Sequence, residues 1–523
     1  MRREPGSAAR HIPRRHFLAT TAAGASLAAL RPFYGVGGSA EAAGTDLRVA
    51  MSVDPVTPGD PRQTMSGLAG LSQALPHVFE TLIVRDADMR PGPGLAEKWE
   101  FVNPTTLRLH LRKGVKFHNG EPFDAGSVKY TIDSILAPDS RSHRKSQIQA
   151  VKEVAIVSSH VVDLKTGDPY RPLLRMLGNI PIMAAKASQS LGDRIATNPI
   201  GTGPFKHIEY LPGNRWVLQA NPGYWGPTPK MKQLTWRYVK DDGARVAALM
   251  AGDVDVINNV PPDQIGRLRG AGKRVQSVVG TFIIYGGMRC DRAPFSDPRI
   301  RQALNYAIDK KAIVEKLLAG HGQVADSPLA PSLPYRESFG AWPYDPERAR
   351  ALLKAAGYDA KTARQVVFGT AVGRYIKDRE IAQAISGFLD AVGFKHTFET
   401  PDWPTYFKAV RGLGDSKYDM FVLGYGPQSM EPDQLLSYAF QSAPYLNTMA
   451  YKNAEVDRLL QQGRETFDEG KLKATYGDVT KVIWNDAPVL WLHFQPEITA
   501  SAESLTSYGP RADSMLSVVT ASW

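Results

Sequence analysis

Two hydrophobic periods take turns along this chain. Asp46–Val53 (DLRVAMSV) and Thr106–Leu111 (TLRLHL) place apolar residues at every second position, which predicts strands with one buried face. Val161–Leu164 is a further short strand, and Leu75–Val84 has helix-like spacing. Asp124 is placed to cap a helical run that ends at Leu136. Lys113-Gly114 and Asn119-Gly120 are turn signals, and a Pro/Gly-rich loop runs from Asp54 to Arg62. Further on, Ala244–Ala251 is a helix stopped by Gly252, followed by a strand over Asp253–Val256. Asp297-Pro298 and Asp345-Pro346 each set an acidic cap before a proline at the first helical position, where a missing N–H does no harm. The first of these helices is predicted to run toward Leu318, with Gly320 as its stop. The second ends at Gly357 and puts Ala349, Leu352, Leu353 and Ala356 on one face. Val366–Thr370 and Met420–Gly424 suit buried strands between helices. Such alternation predicts an α/β fold with a partly parallel sheet. No repeat of 20–50-residue period is present.

Composition narrows the class. The chain has 523 residues, 43% hydrophobic and 22% charged, which fits about three folded units and excludes disorder, collagen or coiled coil as whole-chain readings. The net charge is +11, but residues 1–42 hold six arginines against two acids. The rest carries no dense Lys/Arg block, so a nucleic-acid groove is not expected. With one cysteine, Cys290, no intramolecular disulfide or cysteine-built metal centre can form.

The amino end has the grammar of an export signal. Arg14-Arg15-His16-Phe17-Leu18 leads into Ala19–Leu30, an uncharged stretch of ~18 Å as a helix, too short to span a bilayer. Ala40-Glu41-Ala42 then supplies a small–x–small cleavage pattern. The paired arginines resemble the twin-arginine class, so residues 1–42 are expected to be removed. No cysteine offers a lipobox, and no later stretch approaches 18 apolar residues. The mature chain is therefore expected to be periplasmic, soluble and without a lipid anchor.

Six segments carry a resemblance. They are Gly94–Trp99 (GLAEKW), Leu111–Gly120 (LRKGVKFHNG), Pro199–Phe205 (PIGTGPF), Asn221–Trp225 (NPGYW), Asp297–Leu304 (DPRIRQAL) and Ala307–Lys310 (AIDK). In this order and at these distances the chain resembles the family 5 extracellular solute-binding proteins of ABC importers, a family with dipeptide-, oligopeptide- and nickel-binding members. The resemblance covers nearly all of residues 43–523. It implies a periplasmic-binding-protein-like α/β fold. Lobe I would comprise residues 43–75, 197–285 and 492–523, with an inserted subdomain at 76–196 and lobe II at 286–491. A small solute or peptide would sit between the lobes, and hinge closure would bury it. The implied partners are that ligand and the permease subunits; no cofactor is implied, and a monomer is expected.

Most of the recognisable residues are expected to be structural. Gly201 and Gly203 permit tight backbone, and Pro204 removes an N–H that a phosphate site would need. Arg299 and Arg301 suit a helix brace. In peptide-binding members of the family, an aspartate soon after a Gly-Trp strand end pairs with the peptide ammonium. The matching stretch, Gly424–Asp433, puts Gln428 at that position. A neutral amide leaves a buried ammonium uncompensated, which weighs against free-amine peptides. Glu431 could substitute, although a solvated turn acid is the plainer reading. Tyr425 at a strand end, Trp403 near a helix start, Tyr445 and Asn447 in a loop, and Tyr285 near the lobe crossover complete the candidate pocket. Arg374 could hold a carboxylate bidentately, or be a solvated helix residue. Non-peptide solutes such as an opine, a glycoside or a chelated metal also remain open. Histidines are dispersed without a His-x-x-x-His pair, and Ser142-x-x-Lys145 lacks the Lys-Thr-Gly that supports a serine acylase. A metal site is not expected, and an enzyme is not either, a secreted hydrolase on a similar scaffold being the alternative.

Overall fold

The computed structural model describes residues 46–53, 60–62, 73–86, 88–411, 416–427, 429–442 and 447–523. The export signal at 1–42, Gln428 and Tyr445 lie outside the described residues. In chain order the principal strands are β1 (Asp46–Met51), β2 (Ala96–Asn103), β3 (Thr106–Leu111), β4 (Val151–Ser158), β5 (Val161–Thr166), β6 (Phe205–Leu211), β7 (Arg215–Ala220), β8 (Gln233–Tyr238), β9 (Val256–Ile257), β10 (Arg274–Met288), β11 (Gln323–Val324), β12 (Val366–Gly369), β13 (His396–Glu399), β14 (Met420–Tyr425) and β15 (Val489–Ser501). The principal helices are α1 (Ala125–Leu136), α2 (Asp242–Ala251), α3 (Pro298–Ala307), α4 (Pro346–Ala355), α5 (Asp378–Ala391), α6 (Trp403–Arg411), α7 (Pro432–Phe440), α8 (Ala454–Glu465) and α9 (Glu469–Asp486). Among the described residues, no helix is long and apolar enough to cross a membrane.

One mixed sheet runs in the order β13-β12-β14-β10-β15-β9-β1-β8-β7-β6, with β11 added against β15. Its parallel pairs are β1 with β8 and β9, and β12 with β13 and β14. A separate antiparallel sheet, β2-β3-β5-β4, carries α1 and its own core of Leu107, Leu109, Val128, Ile132, Val162 and Leu164. Two further cores flank β12, β14 and the first half of β15. One gathers Leu423, Leu435, Tyr476 and Trp491, the other Leu304, Ile385, Val422 and Leu492.

Local signals act as expected where the chain can satisfy itself. Asp124 Oδ1 accepts from Ser127 N at 3.1 Å, and Asp345 Oδ1 from Arg348 N at 2.9 Å. Gly252, Gly320 and Gly357 all adopt positive φ beyond their helices. Three expectations fail, two because distant groups compete and one because nearer groups break the helix. Over Leu75–Val84 only the turn Leu75–His77 is helical, followed by a short strand at Ile83–Arg85. The carbonyls a helix would use there are taken from afar: Val78 O by Gly203 N, Glu80 O by Ile182 N, and Thr81 O by Leu95 N. The helix from Pro298 stops at Ala307 instead of running to Leu318, because Ile308 is extended and Asp309 caps a new turn through Ala312 N. The Asn305 carbonyl at that break is claimed by the buried Lys310 ammonium. The strand expected over Asp253–Val256 pairs only at Val256–Ile257, since Asp255 spends its carboxylate on Arg48, accepting from its backbone N at 2.7 Å and its Nη2 at 2.8 Å.

The Gly-Thr-Gly segment is a packing device. A Cβ on Gly201 would stand 1.9 Å from Val78 O. Gly201→Ala is therefore expected to destabilise the fold by more than ~2 kcal/mol, read as a lowered denaturation midpoint. A midpoint equal to wild type would show that the Val78 segment moves freely.

Candidate functional site

β10 and β15 cross the centre of the main sheet, and their pairing breaks between Val279 and Ile283, opposite Pro496 and Phe494. Gly280 lies in that break, where a Cβ would stand 2.9 Å from Gln495 O and 3.1 Å from Glu497 Oε1. Two other segments anchor at the same point. Ile376 N, ahead of α5, donates to Gln495 Oε1 at 3.2 Å, and Thr281 N donates to Ala512 O at 2.9 Å.

Charge gathers there too. Glu497 is buried, and its Oε1 accepts the Ser514 hydroxyl at 2.6 Å. Burial pushes its carboxyl up to about 7, against the Ser514 hydrogen bond and Arg374, with Asp513 adding to the rise. Burial also works against Asp513, but Arg85 Nε at 2.9 Å and Arg511 Nε at 3.1 Å hold it below the usual carboxylate range.

Arg374 is half-buried in the loop ahead of α5, not on a helix. Its guanidinium carbon lies 5.0 Å from the Tyr375 ring centre and 5.2 Å from that of Trp403, a cation–π arrangement that holds the charge in a fixed place. Trp403 opens α6 and stacks on Phe407 at 4.8 Å. Tyr285 is buried in β10 between Leu423 and Trp491. Tyr425 ends β14 and turns toward α7, where its hydroxyl reaches Gln434 O at 3.4 Å and its ring lies 6.2 Å from Tyr438. The amide of Asn447 is committed to backbone: Nδ2 donates to Gln441 O at 3.0 Å and to Tyr451 O, and Oδ1 accepts Tyr451 N. The structure thus brings Arg374 and Trp403 together, whereas Tyr425 lies against α7.

Glu431 departs most from expectation. It is no solvated turn acid: it is fully buried, it caps α7 by accepting Asp433 N, and its Oε2 lies 3.7 Å from both Arg171 Nη1 and Arg175 Nε. Burial raises its pKa, and the two arginines oppose that rise. Asp433 is committed as well, with Arg464 Nε at 2.9 Å and the Ser437 hydroxyl at 2.6 Å. Glu431-Pro432 repeats the acid–proline cap of Asp297-Pro298, a signal that could have marked it as a helix start.

The sequence did not reveal the hollow beside these groups. A cavity of about 720 Å³ lies between the segment carrying β4 and β5 and helices α7 and α8, lined among others by Ser146, Tyr170, Asp433, Ser437, Tyr438 and Arg464. That volume suits a drug- or peptide-sized solute. The Tyr438 hydroxyl bridges its walls, donating to Ser146 Oγ at 2.8 Å. Ser142 and Lys145 are not a nucleophile and base: Ser142 Oγ donates to Arg62 O, and Lys145 Nζ to Ala137 O at 3.0 Å. Among the described residues no group of three His, Cys, Asp or Glu side chains could hold a metal ion.

Glu497 gives a pH test. An acid whose folded pKa is raised favours the folded state below its unfolded value near 4.5, and that advantage is lost as pH rises through about 7. Glu497→Gln should therefore melt higher than wild type at pH 8, with the difference shrinking toward pH 5. Parallel melting curves at the two pH values would contradict this burial.

The comparisons agree with this architecture. The model of bacterial extracellular solute-binding proteins, family 5 Middle, matches residues 90–447. The glutathione-binding protein GsiB of Pectobacterium atrosepticum is 28% identical over 460 residues, 86% of this chain and 89% of that protein. A dipeptide-binding protein from a Pseudoalteromonas species, in complex with Met-Leu, superimposes with a TM-score of 0.80 at 21% identity, over 91% of this chain and 99% of that one. NikZ from Campylobacter jejuni, in complex with Ni(L-His), gives 0.80 at 21% identity, over 91% and 99%. The chain belongs to family 5 of the bacterial extracellular solute-binding proteins and is the solute-binding subunit of an ABC importer.

Proposed function

We propose that this subunit captures a peptide-like solute whose recognised charges are carboxylates, and hands it unchanged to the permease. The observation that carries the reading is the hollow of about 720 Å³ between two separately built parts of the chain. In this reading residues 43–75, 197–285 and 492–523 form lobe I, 76–196 the inserted subdomain and 286–491 lobe II. The lobes hinge at the interrupted pairing of β10 and β15. Residues 1–42 direct twin-arginine export, and the mature protein works in the periplasm as an unanchored monomer without a cofactor.

The charge pattern supports the solute class. Gln428 stands where peptide-binding relatives carry an amine-pairing acid, and the nearby acids Glu431 and Asp433 are already paired with arginines. Arg374, held over two rings and outside the lining of the hollow, is a cation suited to a carboxylate. Glutathione, the solute named for GsiB, has two carboxylates and one ammonium, and supplies the probe.

Calorimetric titration should show glutathione binding at least ~10-fold tighter than a free-amine dipeptide such as alanyl-alanine. Arg374→Gln should weaken glutathione, and Gln428→Asp should improve the dipeptide. Sub-micromolar dipeptide binding that vanishes on N-acetylation would overturn the charge argument. Replacing Arg14 and Arg15 by lysine should leave the precursor in the cytoplasm, read by fractionation; an unchanged periplasmic yield would refute the twin-arginine route.

A further inference from the structure

Glu431 is a buried carboxylate whose counter-charges come from another part of the chain. Its Oε1 faces its own side, reached by Asp433 N and by the Tyr476 hydroxyl at 3.4 Å. Its Oε2 faces Arg171 and Arg175, on the segment after β5, each at 3.7 Å. Those arginines are themselves fixed. Arg175 Nη1 donates to Met89 O at 3.3 Å. The Arg171 guanidinium lies 5.2 Å from the Tyr335 ring centre and donates to Glu469 at 3.1 Å, while its backbone N donates to Arg464 O at 2.9 Å. Phe101 and Phe467 add a ring contact at 4.9 Å across the same junction.

We propose that Arg171, Arg175 and Glu431 form an electrostatic latch that holds the inserted subdomain against lobe II, with Glu431 a positioning residue rather than a ligand acid. The proposal rests on the two-lobe reading above. With the lobes together, the carboxylate is out of water and two guanidiniums compensate it. Moving the subdomain away removes both at once and leaves the buried acid unpaired until water reaches it, which is costly. The same pairing denies Glu431 to a solute ammonium. Tyr170 and Asp433, each adjacent in sequence or one residue removed from a latch member, line the hollow, so latching and enclosure occur in one place.

The test reads lobe separation without any added solute. Nitroxide labels on Val157→Cys and Lys473→Cys, both exposed, in a Cys290→Ser background report the distance between subdomain and lobe II by pulsed electron resonance. Joint Arg171→Gln and Arg175→Gln should raise the ratio of long to short distances ~5-fold or more, and Glu431→Gln should do the same. Joint Arg171→Lys and Arg175→Lys should restore the short distance, because lysine keeps the charge. Melting curves check that each variant is folded. If Glu431→Gln loses its cap and unfolds, the arginine pair alone decides. An unchanged distance distribution in the neutralised arginine variant overturns the latch. So does equal opening in the lysine variant, since guanidinium packing rather than charge would then be at work. Glutathione titration of wild type is a separate measurement: its failure would count against the proposed solute and leave the distances to judge the latch.

Discussion

Everything in this molecule hangs on the pairing of β10 with β15. Both strands are long, and each serves two surroundings. Trp491 and Phe494 of β15 enter the core shared with α7 and α9, while Ile498 and Ala500 enter the core beside α2. A strand that changes core partway must change its twist, and the register break at Val279–Ile283 is where that happens. Pro496 opposite the break has no ladder donor to offer, and Gly280 leaves no room for a side chain. The ladder is interrupted there, and this is where the proposed hinge is placed.

The second constraint is the handling of charge around that crossing. Asp513, Asp433 and Glu431 are all buried, and each faces at least one arginine contributed by another stretch of chain. Ion pairs of this kind add little net stability, because desolvation offsets attraction, but breaking one is expensive. They fix which segments must lie together. Glu497 differs: burial pushes its carboxyl up to about 7, and the hydrogen bond from the Ser514 hydroxyl only partly opposes that rise. The acids Asp513, Asp433 and Glu431 are thus already paired, which is the basis of the proposed preference for carboxylate-bearing solutes.

The sequence by itself determined features whose physics is local. Asp124, Asp297 and Asp345 cap helices because the donors they satisfy are two or three residues away. Alternation over Thr106–Leu111 and the apolar run Met420–Gly424 gave strands, since side-chain period and burial belong to the segment itself. The partly parallel character of the main sheet followed from the alternation of such segments, whereas Gly201 meets Val78 and Arg301 meets Asp486 only in the folded chain. Tertiary structure alone decided whatever required a distant partner. Leu75–Val84 lost its helix to carbonyl acceptors wanted by Gly203, Ile182 and Leu95. Asn447 became a brace through Gln441 and Tyr451, and Glu431 became a buried acid through arginines some 260 residues earlier in the chain. No spacing within a segment encodes which far segment will claim a carbonyl or a carboxylate; that is set by how the strands cross, and the hollow with its charges exists only once they have.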